Sequence, residues 1–121
     1  LPQYTERHYT TIDSSYFKIA VDAMQQVVDA GTGQWYAKLP DVVVCGKTGT
    51  VQNDPFPAHS VFIAFAPRVN PKIAISVYVE HGGQGAGAAA SIASLMIEQY
   101  LFKKTRRQYI EDYVMAGIFA K

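Results

Sequence analysis

Residues 42–52 read VVVCGKTGTVQ, and the six at their centre, CGKTGT (45–50), decide both the fold and the functional question. Val42, Val43, Val44, Thr48, Thr50 and Val51 are β-branched. Such side chains lose rotamer freedom in a helix and pack well on a pleated surface. The spacing predicts a strand over 42–52. The stretch NDPFP (53–57) ends it, because two prolines and an Asn-Asp pair are turn chemistry. A second strand is expected over 59–67, HSVFIAFAP. RVNP (68–71) has the length of a hairpin turn. A third strand is expected over 72–80, opening at Lys72 and closing at Glu80. There Ile73, Ile75, Val77 and Val79 alternate with Ala74, Ser76 and Tyr78. Consecutive strands joined by short turns form an antiparallel meander.

Helical patterns flank the sheet. Asp13 is the expected N-cap of a helix, with Ser14 as competitor. Phe17, Ala20, Val21, Met24, Val27 and Val28 then fall on one face, and Gly31 is the expected C-cap. Residues 1–12 read as a lead-in. After the third strand, HGGQGAG (81–87) is a glycine-rich bend, and a second helix is expected over 88–102. KKTRR (103–107) ends that helix with cations, which the helix dipole favours. The tail, 108–121, suits a further short helix. Helix, three strands, helix makes an α+β layer structure: a three-stranded antiparallel sheet packed with helices.

Composition narrows the function. The chain has 121 residues, 49% of them hydrophobic, which suits one small packed domain rather than disorder. The formal net charge of +1 argues against a dedicated nucleic-acid binder. The single cysteine, Cys45, cannot form an internal disulfide. Flanked by valine and glycine, it reads as a small buried hydrophobe. His8, His59 and His81 lack metal-ligand spacing and read as surface or hydrogen-bonding residues. Trp35 and Tyr36 read as cover for a core edge, and Lys103, Lys104, Arg106 and Arg107 as a solvated helix end. No cofactor and no metal are expected. The first residue is Leu1, and the chain is expected to be part of a longer polypeptide.

Gly46-Lys47-Thr48 matches the end of a phosphate-binding loop. Three features oppose that reading. Asp41 stands where the first glycine belongs, the loop interior would be Val42, Val43, Val44 and Cys45, and Gly49 with its β-branched neighbours discourages a helix after Lys47. Gly83-x-Gly85-x-x-Ala88 fits a dinucleotide fingerprint only superficially, since no parallel strand follows. On a strand, by contrast, Thr48 and Thr50 share one face while Lys47 and Gly49 share the other. Two hydroxyls and an ammonium suit a carboxylate. Gly49 admits close approach to the backbone, and an edge strand can pair with an extended peptide.

Lys47-Thr48-Gly49 is also the third motif of the penicillin-recognising serine enzymes. GKTGTVQ, HSVFIAFAP, NPKIAISVYVEHGG and GAGAAASIASLMIEQYL, in that order, resemble the C-terminal part of the transpeptidase domain of class B penicillin-binding proteins, and most of all the penicillin-binding protein 2 group. The resemblance runs over about residues 10–102 and includes the helix before the Lys-Thr-Gly strand. It departs from the family at Ser91, often proline there, and at His81, often asparagine.

The resemblance implies a partial penicillin-binding-protein/β-lactamase-like fold, with 1–121 as its C-terminal portion. It implies a serine-type peptidoglycan D,D-transpeptidase that binds stem peptides and β-lactams. It implies that Lys47 supplies positive charge, that Thr48 and Thr50 bind the substrate carboxylate, and that the Thr50 amide is an oxyanion donor. Ser15-x-x-Lys18 spells the family's nucleophile motif in the wrong place, and no Ser-x-Asn occurs. The nucleophile is therefore expected outside this chain, the isolated chain inactive, and the parent anchored at the periplasmic side of the inner membrane. The third strand would pair with a strand from the missing N-terminal part, so its edge is expected to be exposed and open to self-association. A β-lactamase or β-lactam sensor shares the motif. A non-catalytic interaction domain is the alternative from a different class.

Overall fold

A computed structural model describes residues 5–119, so Pro2 and the start of the lead-in lie outside the described residues. Helix α1 (Ser14–Asp29) starts where its N-cap predicts: the Asp13 carboxylate accepts from Ser15 N at 2.8 Å. Those hydrogen bonds from Ser15 hold the Asp13 carboxyl below its ordinary pKa. The C-cap is Ala30 rather than the expected Gly31. Gly31 instead begins a tight return over the helix end. A short helix, α2 (Gln34–Ala37), follows.

The sheet holds β1 (Cys45–Val51), β2 (His59–Ala66) and β3 (Ile73–Val79), antiparallel and in the order β1-β2-β3. The meander is the one expected from the sequence. β1 begins three residues later than the β-branched run suggests. Upstream of it, the carbonyl of Val43 accepts from Arg68 N (2.9 Å) in the β2–β3 turn, while Val44 is already core. Register pairs Thr50 with Ser60, Thr48 with Phe62 and Gly46 with Ala64, so these six share one face. Ile75, Val77 and Val79 extend that face onto β3. Ala89, Ala90, Ala93 and Ile97 cover it.

The cover begins earlier than the expected helix at 88. Ala86–Ala90 forms a π-turn that runs into α3 (Ser91–Phe102). A buried hydroxyl accounts for it. Ser60 Oγ donates to the Gly85 carbonyl at 3.1 Å and accepts from Ala89 N at 3.1 Å. It thus stands where a Gly85–Ala89 helical bond would close, and an inserted side chain widens the local turn.

The last helix, α4 (Gln108–Ala116), matches the suited tail. The basic stretch before it matches its solvated reading at Lys103, Lys104 and Arg106 but not at Arg107. Arg107 is only 6% exposed, and Glu98 beneath it is wholly buried. The two form an ion pair at 3.1 Å, Nε to Oε2. Arg107 also donates to Ser94 Oγ (2.7 Å) and to the carbonyls of Tyr36 (3.2 Å) and Lys38 (3.4 Å). Arg106 reaches Asp41 at 2.5 Å. These guanidiniums tie α3 and α4 to the segment that feeds β1. Lys103 and Lys104 remain exposed.

Arg107→Met removes the nearer counter-charge of buried Glu98 and leaves it Arg106 Nε, 3.8 Å from Oε1. We expect urea denaturation to show a loss of about 3–5 kcal/mol, and Glu98→Leu combined with Arg107→Met to recover most of it. Cys45 is fully buried, and burial raises its thiol pKa. A raised folded pKa favours the protonated form, so this contribution to stability is lost as pH rises past the ordinary thiol range. Thiol reagent at mildly alkaline pH should therefore label Cys45 only at the rate of unfolding.

Candidate functional site

The carboxylate-suited residues lie on β1, which among the described residues pairs with β2 only. Its other flank carries no strand. Lys47 and Thr50 are exposed, while Thr48 and Gly49 are half-buried. The register places Lys47 and Gly49 opposite Ile63 and Val61, on the face away from α3. The lysine ammonium donates to the carbonyl of Thr48 at 2.7 Å, so its charge lies beside the strand backbone rather than far out in solvent. The continuous strand also excludes the phosphate-loop geometry, since no helix opens at Lys47. The bend at 81–87 likewise joins an antiparallel sheet, with no βαβ unit.

Both hydroxyls are engaged from behind. Thr50 Oγ1 accepts from Gly85 N at 2.9 Å. Thr48 Oγ1 lies 3.2 Å from Thr32 Oγ1, in the turn between α1 and α2. A hydroxyl has one proton to give and two lone pairs. Accepting from Gly85 leaves Thr50 its own proton for an anion. Neither Gly85 nor Thr32 was singled out from the sequence as part of the site. The trace that was available is glycine itself: a Cβ added at Gly85 would overlap the carbonyl of Gly49. The π-turn can press onto β1 only because no side chain intervenes.

Ser15 and Lys18 do not form a nucleophile pair. Lys18 Nζ binds Asp22 at 2.7 Å, one turn on, and Ser15 sits exposed at the helix start. Lys18 first, and Arg68 second, lower the pKa of Asp22. Its contribution to stability is therefore present above the ordinary carboxylate range and lost as pH falls. His59 and His81 meet at the Thr50 end of the sheet, where His59 pairs with Val51 and its Nδ1 accepts from His81 N at 2.9 Å. This is the hydrogen-bonding role expected of them. Trp35 is half-exposed, packed edge-on against Tyr36, Tyr109 and Tyr113. Burial first, then Tyr36, raises the Tyr113 phenol pKa. Beside this cluster an open cavity of about 720 Å³ reaches Thr50, Gln52 and Gln84.

Comparison with known proteins identifies the family. The family described as penicillin binding protein transpeptidase domain matches residues 3–98. Peptidoglycan D,D-transpeptidase MrdA of Acinetobacter baumannii is 29% identical over 114 residues, covering 82% of this chain and 16% of that protein. The crystal structure of Pseudomonas aeruginosa penicillin-binding protein 2 in complex with WCK 5153 superposes with a TM-score of 0.71 at 31% identity, over 84% of this chain and 23% of that one. The imipenem acyl-enzyme complex of penicillin-binding protein A from Mycobacterium tuberculosis gives 0.69 at 30% identity, over 79% and 21%. The chain spans about a sixth of the length of the curated relatives it matches.

The chain belongs to the penicillin-binding protein transpeptidase family. Within that family its relatives include penicillin-binding protein 2.

Two glycine substitutions separate packing from access. A Cβ at Gly49 would meet Val61 at an ordinary 3.4 Å, so Gly49→Ala should leave the melting temperature nearly unchanged. Gly85→Ala should lower it by several degrees and shift the Gly49 and Thr50 amide resonances, because the π-turn must lift off β1.

Proposed function

We propose that this chain is the C-terminal portion, residues 1–121, of a peptidoglycan D,D-transpeptidase domain, and that it supplies the wall that binds the substrate carboxylate and the oxyanion. The observation that carries the reading is Lys47-Thr48-Gly49-Thr50 on a strand with a free flank, both threonine hydroxyls held from behind. Lys47 contributes positive charge. Thr48 and Thr50 donate to the terminal carboxylate of a stem peptide or to the carboxylate of a β-lactam. Gly49 lets the acyl donor lie against the backbone, and the Thr50 amide donates to the oxyanion.

The reaction is acyl transfer. A serine outside this chain attacks the penultimate D-alanine carbonyl and a tetrahedral oxyanion forms. The C–N bond then breaks, and D-alanine leaves with the proton on its amine. An amine of a second stem displaces the serine and forms the cross-link. With a β-lactam the broken C–N bond belongs to the ring, so the leaving amine stays tethered. An oxyanion donor is worth about 3 kcal/mol in such sites.

Unfinished surfaces support a division of the domain between this chain and the rest of its polypeptide. Tyr16, Phe17 and Ile19 are exposed on α1, although Phe17 lies in the apolar stripe read from the sequence. Ile63 and Tyr78 are exposed on the sheet face away from α3, beside a shallow groove of about 390 Å³ reaching Met24 and Phe65. The outer edge of β3 has no partner among the described residues. In this reading the remaining domain covers that face and adds a strand at β3, and self-association of the isolated chain uses the same edge. An upstream anchor would hold the whole at the periplasmic side of the inner membrane. Among the described residues no helix is long and apolar enough to cross one.

A fluorescent penicillin tests the assignment. The chain alone should take no covalent label, whereas the complete polypeptide should label on a serine outside 1–121. Lys47→Ala should slow that labelling about a hundredfold or more, the scale of losing a charge-stabilising group. Label on Ser15, or labelling indifferent to Lys47, overturns the reading.

A further inference from the structure

Thr32 stands between two glycines whose presence has a steric cause. Gly33 N donates to the Val27 carbonyl at 2.9 Å and Gln34 N to that of Gly31 at 3.1 Å, so the chain doubles back over the last turn of α1. An added Cβ would stand 2.9 Å from Val27 Cα at Gly31, and 3.2 Å from the Val27 carbonyl oxygen at Gly33. Thr32 itself is exposed and fills no core. Its one hydrogen bond across the fold is the 3.2 Å contact with the Thr48 hydroxyl.

Hydroxyl chemistry gives that contact a direction. Thr50 already has a protein N–H on its oxygen, which leaves its proton for an outside acceptor. If Thr32 donates to Thr48 Oγ1, Thr48 is placed in the same state. Two hydroxyls on one strand face are then both left with a proton to donate, and an acceptor bearing negative charge is the partner that satisfies both. The reverse polarity, Thr48 donating to Thr32, would leave lone pairs facing the substrate and repel a carboxylate. We propose that Thr32 is a positioning residue. By donating to Thr48 it orients the Thr48 hydroxyl and so sets the preference of the site for carboxylate-bearing acyl donors over neutral ones. Thr32 does not touch the substrate. The inference rests on the carboxylate-wall reading of Lys47 to Thr50.

The test uses the complete transpeptidase and two acyl donors, a penicillin and its methyl ester, in which the carboxylate is replaced by a neutral ester. The ratio of their acylation rates is the readout. Thr32→Val should lower the acid-to-ester ratio about fivefold, the scale of one hydrogen bond, and Thr32→Ser should restore it. Thr32→Ala serves as a second variant should valine disturb the turn. Equal slowing with both donors would make Thr32 merely structural and overturn the proposal. So would an unchanged ratio in Thr32→Val alongside a collapsed ratio in Thr48→Val, which would leave the carboxylate wall standing. A ratio unmoved by Thr48→Val would instead remove the wall itself, and this inference with it.

Discussion

One buried hydroxyl joins the two layers of this protein. Ser60 Oγ bridges the Gly85 carbonyl and the Ala89 amide, and Gly85 N in turn reaches Thr50. The backbone of a single glycine is thereby held at both ends by two adjacent strands. Everything on the covered face follows from that point. The π-turn lies against β1 and β2, and Ala89, Ala90 and Ala93 are buried in one cluster with Phe62 and Ala64. A polar group at zero exposure is tolerated here because both its donor and its acceptor capacity are used.

The same bond system reaches the candidate site. Thr50 serves the fold through its oxygen and keeps its proton free. Lys47 lies against its own strand, and Thr48 is held by a turn that belongs to α1. A site that must present donors to an anion is better placed on a rigid strand than on a loop. Here the rigidity comes from hydrogen bonds behind the strand rather than from burial of the strand itself. Farther out, the Arg107–Glu98 pair ties α3 and α4 to the residues entering β1. A buried pair of this kind is weak evidence for net stability. Its structural effect is to position the chain: Arg107 donates to the carbonyls of Tyr36 and Lys38, at the entry to β1.

The uncovered side is equally informative. Aliphatic and aromatic side chains lie exposed on α1 and on the sheet face opposite α3, whereas Ser60, Phe62 and Ala64 on the other face are buried. The candidate site lies at the boundary of the two faces, where Lys47 turns to the open side and Thr48 and Thr50 to the closed one.

The meander, its alternation and α1 were legible in the sequence, because strand and helix periodicities are local and β-branching, proline and Asp13 mark their ends. So were the Lys47 to Thr50 motif and the side to which each residue points, since alternation along a strand needs no tertiary information. Tertiary structure alone decided the rest. It placed Thr32 beside Thr48, put the Ser60 hydroxyl into the ladder of a helix 25 residues away, and buried Arg107 where a basic run had suggested a solvated end. It also trimmed β1 to start at Cys45. Each of these depends on which distant group fills a vacant lone pair or covers a charge. No periodicity records that, because it is fixed only when the two layers close on each other.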